Sequence, residues 1–223
     1  MGKDVPKSPL LGALSALSVC ALLTACAEVE PIAYAGLPSS RLMKPNSEDP
    51  GGSTPFIYSS ETKWAAYSKA IVDPVSLYQG PDHQFGDMAE SDRAELARYM
   101  QEKFSATLAK RFTIISKPGP DTLRITLSLT GAAATPLLGE LAHADMAGNV
   151  YNGVAAARDK EGLMSGWVMY VVEIHDSTKG RLLLAYTTKQ YPNALHLGAA
   201  FGSLAAARIG IDNGADELVA RLL

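Results

Sequence analysis

The clearest pattern in the chain is a strict alternation at residues 122–130, "TLRITLSLT". Leu123, Ile125, Leu127 and Leu129 fall on one side, and Thr122, Arg124, Thr126, Ser128 and Thr130 on the other. Side chains on a strand alternate between faces, so the spacing predicts a half-buried strand with one wet face. A different period precedes it. Leu96, Met100, Phe104 and Leu108 recur every four residues, with Arg93, Glu95, Glu102 and Lys110 elsewhere around the turn. That stripe predicts a helix over residues 89–111. Asp87 and Glu90 stand three apart at its start, the spacing of a capping box. Phe112–Ser116 then predicts a short strand, and "KPGPD" a turn.

Residues 166–175 and 181–190 flank "DSTKG" and predict a hairpin. Val168, Tyr170, Val172 and Ile174 form one apolar face, matched by Leu182, Leu184 and Tyr186. Trp167, Met169, Glu173 and His175 are left facing away from it. Trp64–Val75 predicts a strand ending at Pro74, followed by the Gly/Pro/Asp-rich loop "SLYQGPDHQFGD". Residues 131–162 are Gly/Ala-rich without a strong period and predict a long excursion. Residues 194–208 suit a helix of small side chains, and 212–223 a short terminal helix capped near Asp212 or Asn213. The order β-α-β-β-(insert)-β-β-α predicts an α+β fold, with a mostly antiparallel sheet and helices packed on one face. A single domain is expected over residues 55–223.

The first residues follow another logic. Lys3 and Lys7 precede an uncharged run, Leu10–Leu23, of the length of a signal-peptide core and too short to span a membrane. Leu23, Thr24, Ala25 and Cys26 resemble the bacterial lipoprotein box. The resemblance implies cleavage after residue 25 and acylation of Cys26 on sulfur and on its new amino group. Ala27, in place of aspartate, implies sorting to the outer membrane, with the domain in the periplasm. Residues 26–54 hold Pro31, Pro38, Pro45, Pro50 and a Gly pair, which is tether composition. A free coil of that kind reaches roughly 25–30 Å. Tyr34, Leu37, Leu42 and Met43 also give it enough apolar surface to pack in part on the domain.

Charge and cysteine content narrow the partners. The formal net charge is −3 and falls one unit further once Lys3, Asp4 and Lys7 are removed, so nucleic acid is not expected as a partner. The chain has two cysteines, Cys20 and Cys26. Only Cys26 lies beyond the cleavage point, which leaves no disulfide framework and no cysteine metal site.

Candidate chemistry is sparse. Glu173 and His175 share a strand face, and a Glu beside a His can serve acid–base work or metal binding, with His143 or Asp145 as a third group. The simpler reading is a polar strand face. Asp82, His83 and Asp87 sit in the Gly/Pro loop, where such residues bind ligands or merely turn the chain. Ser165 in "GLMSGW" is not a nucleophile elbow, and Gly148, Gly153 and Gly162 match no phosphate loop. Gly198 and Gly202 have the spacing of a membrane dimer motif but suit close packing of a helix on the sheet. A large aromatic at Trp167, beside Met169, marks either a contact surface or packing beneath the 131–162 excursion.

"YQGPDHQFGD", "TLRITLSLTGAA", "GWVMYVVEIHD" and "KQYPNA" together resemble the bacterial lipoprotein family catalogued as domain of unknown function 3313. The resemblance spans nearly all of the chain beyond Cys26 and implies class and compartment, not an activity. The element order is also similar to the small α/β domains of the curli secretion lipoprotein and the penicillin-binding-protein activators. The expectation is therefore an outer-membrane lipoprotein, anchored in the bilayer through Cys26, that binds or assists another envelope protein without catalysis. The alternative is a periplasmic hydrolase or metal-dependent enzyme using Glu173, His175 and a loop His or Asp. No cofactor and no resident metal are expected.

Overall fold

The alternating segment lies inside the sheet with its apolar face in the core, but its other face is mostly covered rather than wet, Thr122, Ser128 and Thr130 being buried. In the computed structural model, which describes residues 29–49, 52–135, 166–192 and 202–223, it forms β6 (Thr122–Ala133). Before it come β1 (Lys44–Pro45), β2 (Phe56–Ser59), β3 (Lys69–Val72), β4 (Ser76–Leu77), α1 (Glu90–Leu108) and β5 (Thr113–Ile114). After it come β7 (Trp167–Asp176), β8 (Leu182–Gln190) and α2 (Ala205–Arg221). Residues Pro31–Leu223 form one compact unit, separate from Met1–Glu30.

The sheet runs β1-β2-β8-β7-β6-β3-β5, with β4 also pairing β6. The β1/β2, β2/β8, β8/β7 and β7/β6 pairs are antiparallel, whereas β3 and β4 lie parallel to β6 and β3 parallel to β5. The fold is α+β with a mainly antiparallel sheet. Both helices pack on one face, over a core that joins the α1 stripe to Leu123, Ile125, Leu127 and Leu129 of β6 and to Val168, Tyr170, Val172 and Ile174 of β7. Leu96, Met100, Phe104 and Leu108 are fully buried in it. Each such side chain contributes about 1.5–3 kcal/mol by leaving water.

Four expectations are corrected. The helix starts at Glu90 with Ala89 as its cap residue and no side-chain capping bond, so Asp87 and Glu90 form no capping box. Trp64–Ala66 is a 3-10 turn, and the strand begins only at Lys69. Leu182 does not join Leu184 and Tyr186, because a bulge between Ile174 and His175 shifts the register and puts Leu183 in the core instead. Finally, α2 runs unbroken through Asp212, Asn213 and Gly214. Asp212 caps nothing: it accepts from Tyr99 Oη at 2.8 Å and pairs with Lys103 at 3.2 Å, both on α1. Gly214 is required beneath it, since a Cβ there would stand 1.8 Å from Tyr170 Oη.

The largest difference concerns the tether. From Pro31 onward the segment lies against the domain, with Pro31, Tyr34, Ser39 and Met43 buried. A 3-10 turn spans Pro38–Arg41, and β1 and β2 extend the sheet beyond β8. Its proline content reflects a docked strap rather than a free coil.

Candidate functional site

The strap covers the sheet face opposite the helices. Its core is a second apolar cluster of Tyr34, Met43, Tyr78, Val171 and Ala185. Tyr34 and Tyr78 meet edge to face with ring centroids 5.4 Å apart. Gly36 and Gly80 flank the Tyr78 ring so closely that a Cβ would stand 2.8 Å and 2.1 Å from its hydroxyl. Both positions are thus reserved for residues without a side chain.

Polar groups from the loop after β4 fasten the strap. Asp82 accepts from the Ala35 amide at 2.9 Å through one oxygen and from Tyr78 Oη at 2.6 Å through the other. These bonds, that from Tyr78 foremost, hold its carboxyl below the ordinary value. The Gly36 amide donates to Tyr78 Oη at 3.0 Å. Tyr34 Oη donates to Gln84 Oε1 at 2.5 Å, and burial pushes that hydroxyl up to about 12. The loop itself is held by the Gln84 amide, which donates to the Thr130 carbonyl at 2.8 Å.

A second fastening comes from the sheet. Glu173 on β7 faces the strap, between Thr126 and Ala185 in register. It is buried and accepts from the Ser39 amide at 3.0 Å. Ser39 is the first turn of the 3-10 segment, where free amides attract a carboxylate.

The residues singled out from sequence therefore part company. Asp82 and Glu173 both serve the strap, at Ala35 and Ser39 respectively. His83 packs against Phe85, ring centroids 5.5 Å apart, and its Nδ1 accepts from the Phe85 amide at 3.5 Å. His175 is half-buried near the end of β7, opposite Arg124 and Leu182. Trp167 and Met169 are buried, with Lys189 Nζ 5.3 Å from the Trp167 ring centre. The wet face expected around Trp167, Met169 and Glu173 is thus corrected to a covered one. The strap covers its centre, with Tyr34 Oη 3.7 Å from Met169 Sδ. Leu23, Thr24, Ala25, Cys26, His143, Asp145, Ser165 and the 136–162 part of the excursion lie outside the described residues.

Among the described residues, no three His, Cys, Asp or Glu side chains gather to hold a metal ion. No described helix is long and apolar enough to cross a membrane. A polar cavity of about 540 Å³ opens between residues 45–59 and the end of α2. Asn46, Asp49, Ser59, Glu217 and Arg221 line it. Arg221 is engaged there by Glu217 at 2.5 Å and lies over the Tyr186 ring at 4.9 Å. The sequence reading missed Tyr78 and Gln84 as fasteners. The signal was present in "YQGPDHQFGD", where Gly80 and Gly86 bracket Asp82 and Gln84 and Tyr78 stands just before them.

The model of the family described as "Protein of unknown function (DUF3313)" matches residues 33–218, and the chain belongs to that family. No curated protein sequence matches it. Solved structures are similar to it only at a distance. A PelC dodecamer from Paraburkholderia phytofirmans is similar at 12% identity and TM-score 0.40, over 75% of this chain and 91% of that one. A DUF330 protein from Xanthomonas campestris is similar at 10% identity and TM-score 0.37, over 68% and 81%. A hypothetical protein from Chlamydia trachomatis is similar at 10% identity and TM-score 0.32, over 70% and 95%.

Proposed function

We propose that this member of the DUF3313 family is a lipid-anchored protein of the outer membrane. Its periplasmic domain binds or assists another envelope component and carries out no catalysis. The observation that supports the reading is where the strap lies. The carboxylates best placed for chemistry, Asp82 and Glu173, are both engaged in holding the segment that follows Cys26 against the sheet. A protein that works through an anchor gains from a domain fixed firmly to it, and two charge-assisted bonds are stronger than neutral ones. Cys26 in the "LTAC" box supplies the anchor, since two or more acyl chains hold stably where one does not.

The test is Cys26→Ser in cells fed a palmitate analogue. The wild type should take up label and the variant none, with the variant left as unprocessed precursor. Equal label on both would sink the reading.

A further inference from the structure

The docked strap shortens the distance between anchor and domain. A free segment through residue 54 would hold the domain roughly 25–30 Å from the membrane. The packed unit begins at Pro31 instead, and Pro31 is itself buried. Only residues 27–30 separate it from Cys26. At about 3.3–3.6 Å per residue the fully extended chain brings Ile32 within roughly 20 Å of the acylated sulfur. The headgroup zone on each side of a bilayer is itself about 5–8 Å thick. A strap fastened to the sheet and joined to an acylated Cys26 by so short a link stays near the membrane.

That surface is apolar where it need not be. Five large hydrophobic side chains are exposed among the described residues: Val29, Ile32, Leu42, Ile114 and Leu223. Two of them, Ile32 and Leu42, lie on the strap, at 38% and 48% exposure. Isolated exposed leucines are ordinary, but a concentration on one segment marks a contact surface. Within the strap, Tyr34 and Met43 turn inward while their near neighbours Ile32 and Leu42 turn outward. Internal hydrogen bonds keep these two parts together. The Ser40 hydroxyl and the Leu37 amide both donate to the Tyr34 carbonyl, and the Leu42 amide donates to the Ser39 carbonyl at 2.8 Å. Pro38, Arg41 and Lys44 complete the exposed side.

We infer that the outer surface of the strap, centred on Ile32 and Leu42, rests in the bilayer interface and fixes which way the domain faces. The occupant is the lipid surface itself, chosen because the chain between anchor and patch is too short to put much else between them. The inference rests on acylation of Cys26. Arg41 and Lys44 lie where such side chains extend from an apolar footing toward lipid phosphates. The helix layer, on the opposite face of the sheet, then points into the periplasm.

The test uses the full lipidated protein in vesicles of phosphatidylethanolamine and phosphatidylglycerol. Leu42→Cys and, separately, Ile32→Cys carry an environment-sensitive dye on the introduced thiol, Cys26 being blocked by its acyl groups. Arg98→Cys, exposed on α1, is the reference position. Mass measurement first establishes that Cys26 carries its acyl chains. The expected result is a blue shift at 42 and 32, with several-fold stronger quenching by lipids spin-labelled near the headgroup than at 98. Equal quenching at all three positions on acylated protein overturns the inference and leaves the anchor standing. An unmodified Cys26 overturns the anchor, and the inference with it.

Discussion

The two faces of one sheet are covered by different means. Under the helices lies a continuous apolar core, built from Leu123 to Leu129 of β6, Val168 to Ile174 of β7 and the α1 stripe. Under the strap lies a small apolar cluster ringed by polar groups: Glu173, Asp82, Gln84 and Ser128. The first cover is held by burial, which is non-directional and scales with area. The second depends on a few directed hydrogen bonds, each worth about 0.5–1.5 kcal/mol, or 1.5–3 when one partner is charged. A cover of that second kind can open without unfolding the rest, since local stability follows local burial. The helix layer therefore sets global stability, and the strap is a locally held cover.

The largest effect should follow from damage to the helix face. Leu127 is fully buried there, opposite Val172 of β7. Leu127→Ala should cost about 2–5 kcal/mol in denaturant unfolding. Thr126, its half-buried neighbour on the other face, donates its hydroxyl to Asp73 at 3.0 Å and should lose far less on change to Ala. Similar losses at the two positions would break the contrast between faces.

Damage to the strap should be local. Glu173→Ala leaves the Ser39 amide without its carboxylate, at a cost of about 1–3 kcal/mol for opening the strap. Hydrogen exchange reads this at the Leu42 and Met43 amides, both of which donate to the Ser39 carbonyl. Those amides should lose protection while amides of α1 keep theirs. Loss of protection throughout the domain would mean that strap and core form one cooperative unit.

The same contrast explains what was legible from the residues alone. The α1 stripe, the β6 alternation and the β7–β8 hairpin were readable because burial against a layer imposes a period. The strap imposes none. Its contacts join side chains to backbone amides across long sequence separations, Ala35 to Asp82 and Ser39 to Glu173, and no spacing rule encodes them. Proline and glycine signal a linker and a docked strap equally. Asp212-Asn213-Gly214 misled for a related reason, because local cap chemistry gave way to partners on α1 and to the close approach of Tyr170. Asp82 and Glu173 were recognised as noteworthy groups, but their task was visible only once the strap was placed.

The smallest effect, and the most selective, should come from Asp82. Its folded carboxyl titrates below the ordinary value of 3.8, chiefly because it accepts the Tyr78 hydroxyl and then the Ala35 amide. A group whose folded value is lowered stabilises the folded form above the unfolded value and stops doing so as pH falls through the folded one. Strap docking should hence be level from neutral pH down to about 4 and weaken below 3.8. The contribution is modest, under about 1.5 kcal/mol, because the carboxylate is only half-buried and solvent screens it. Asp82→Asn should loosen the strap slightly at neutral pH and flatten this part of the acid response. The reading is protection of the Leu37 amide, which donates to the Tyr34 carbonyl, corrected for the intrinsic pH dependence of exchange. The comparison is between wild type and variant at each pH rather than along one curve. If the two curves run parallel below pH 4, Asp82 does not govern the docking. The strap would then be held at low pH by its other contacts, the Ser39 amide on Glu173 beneath the Pro38–Arg41 turn among them.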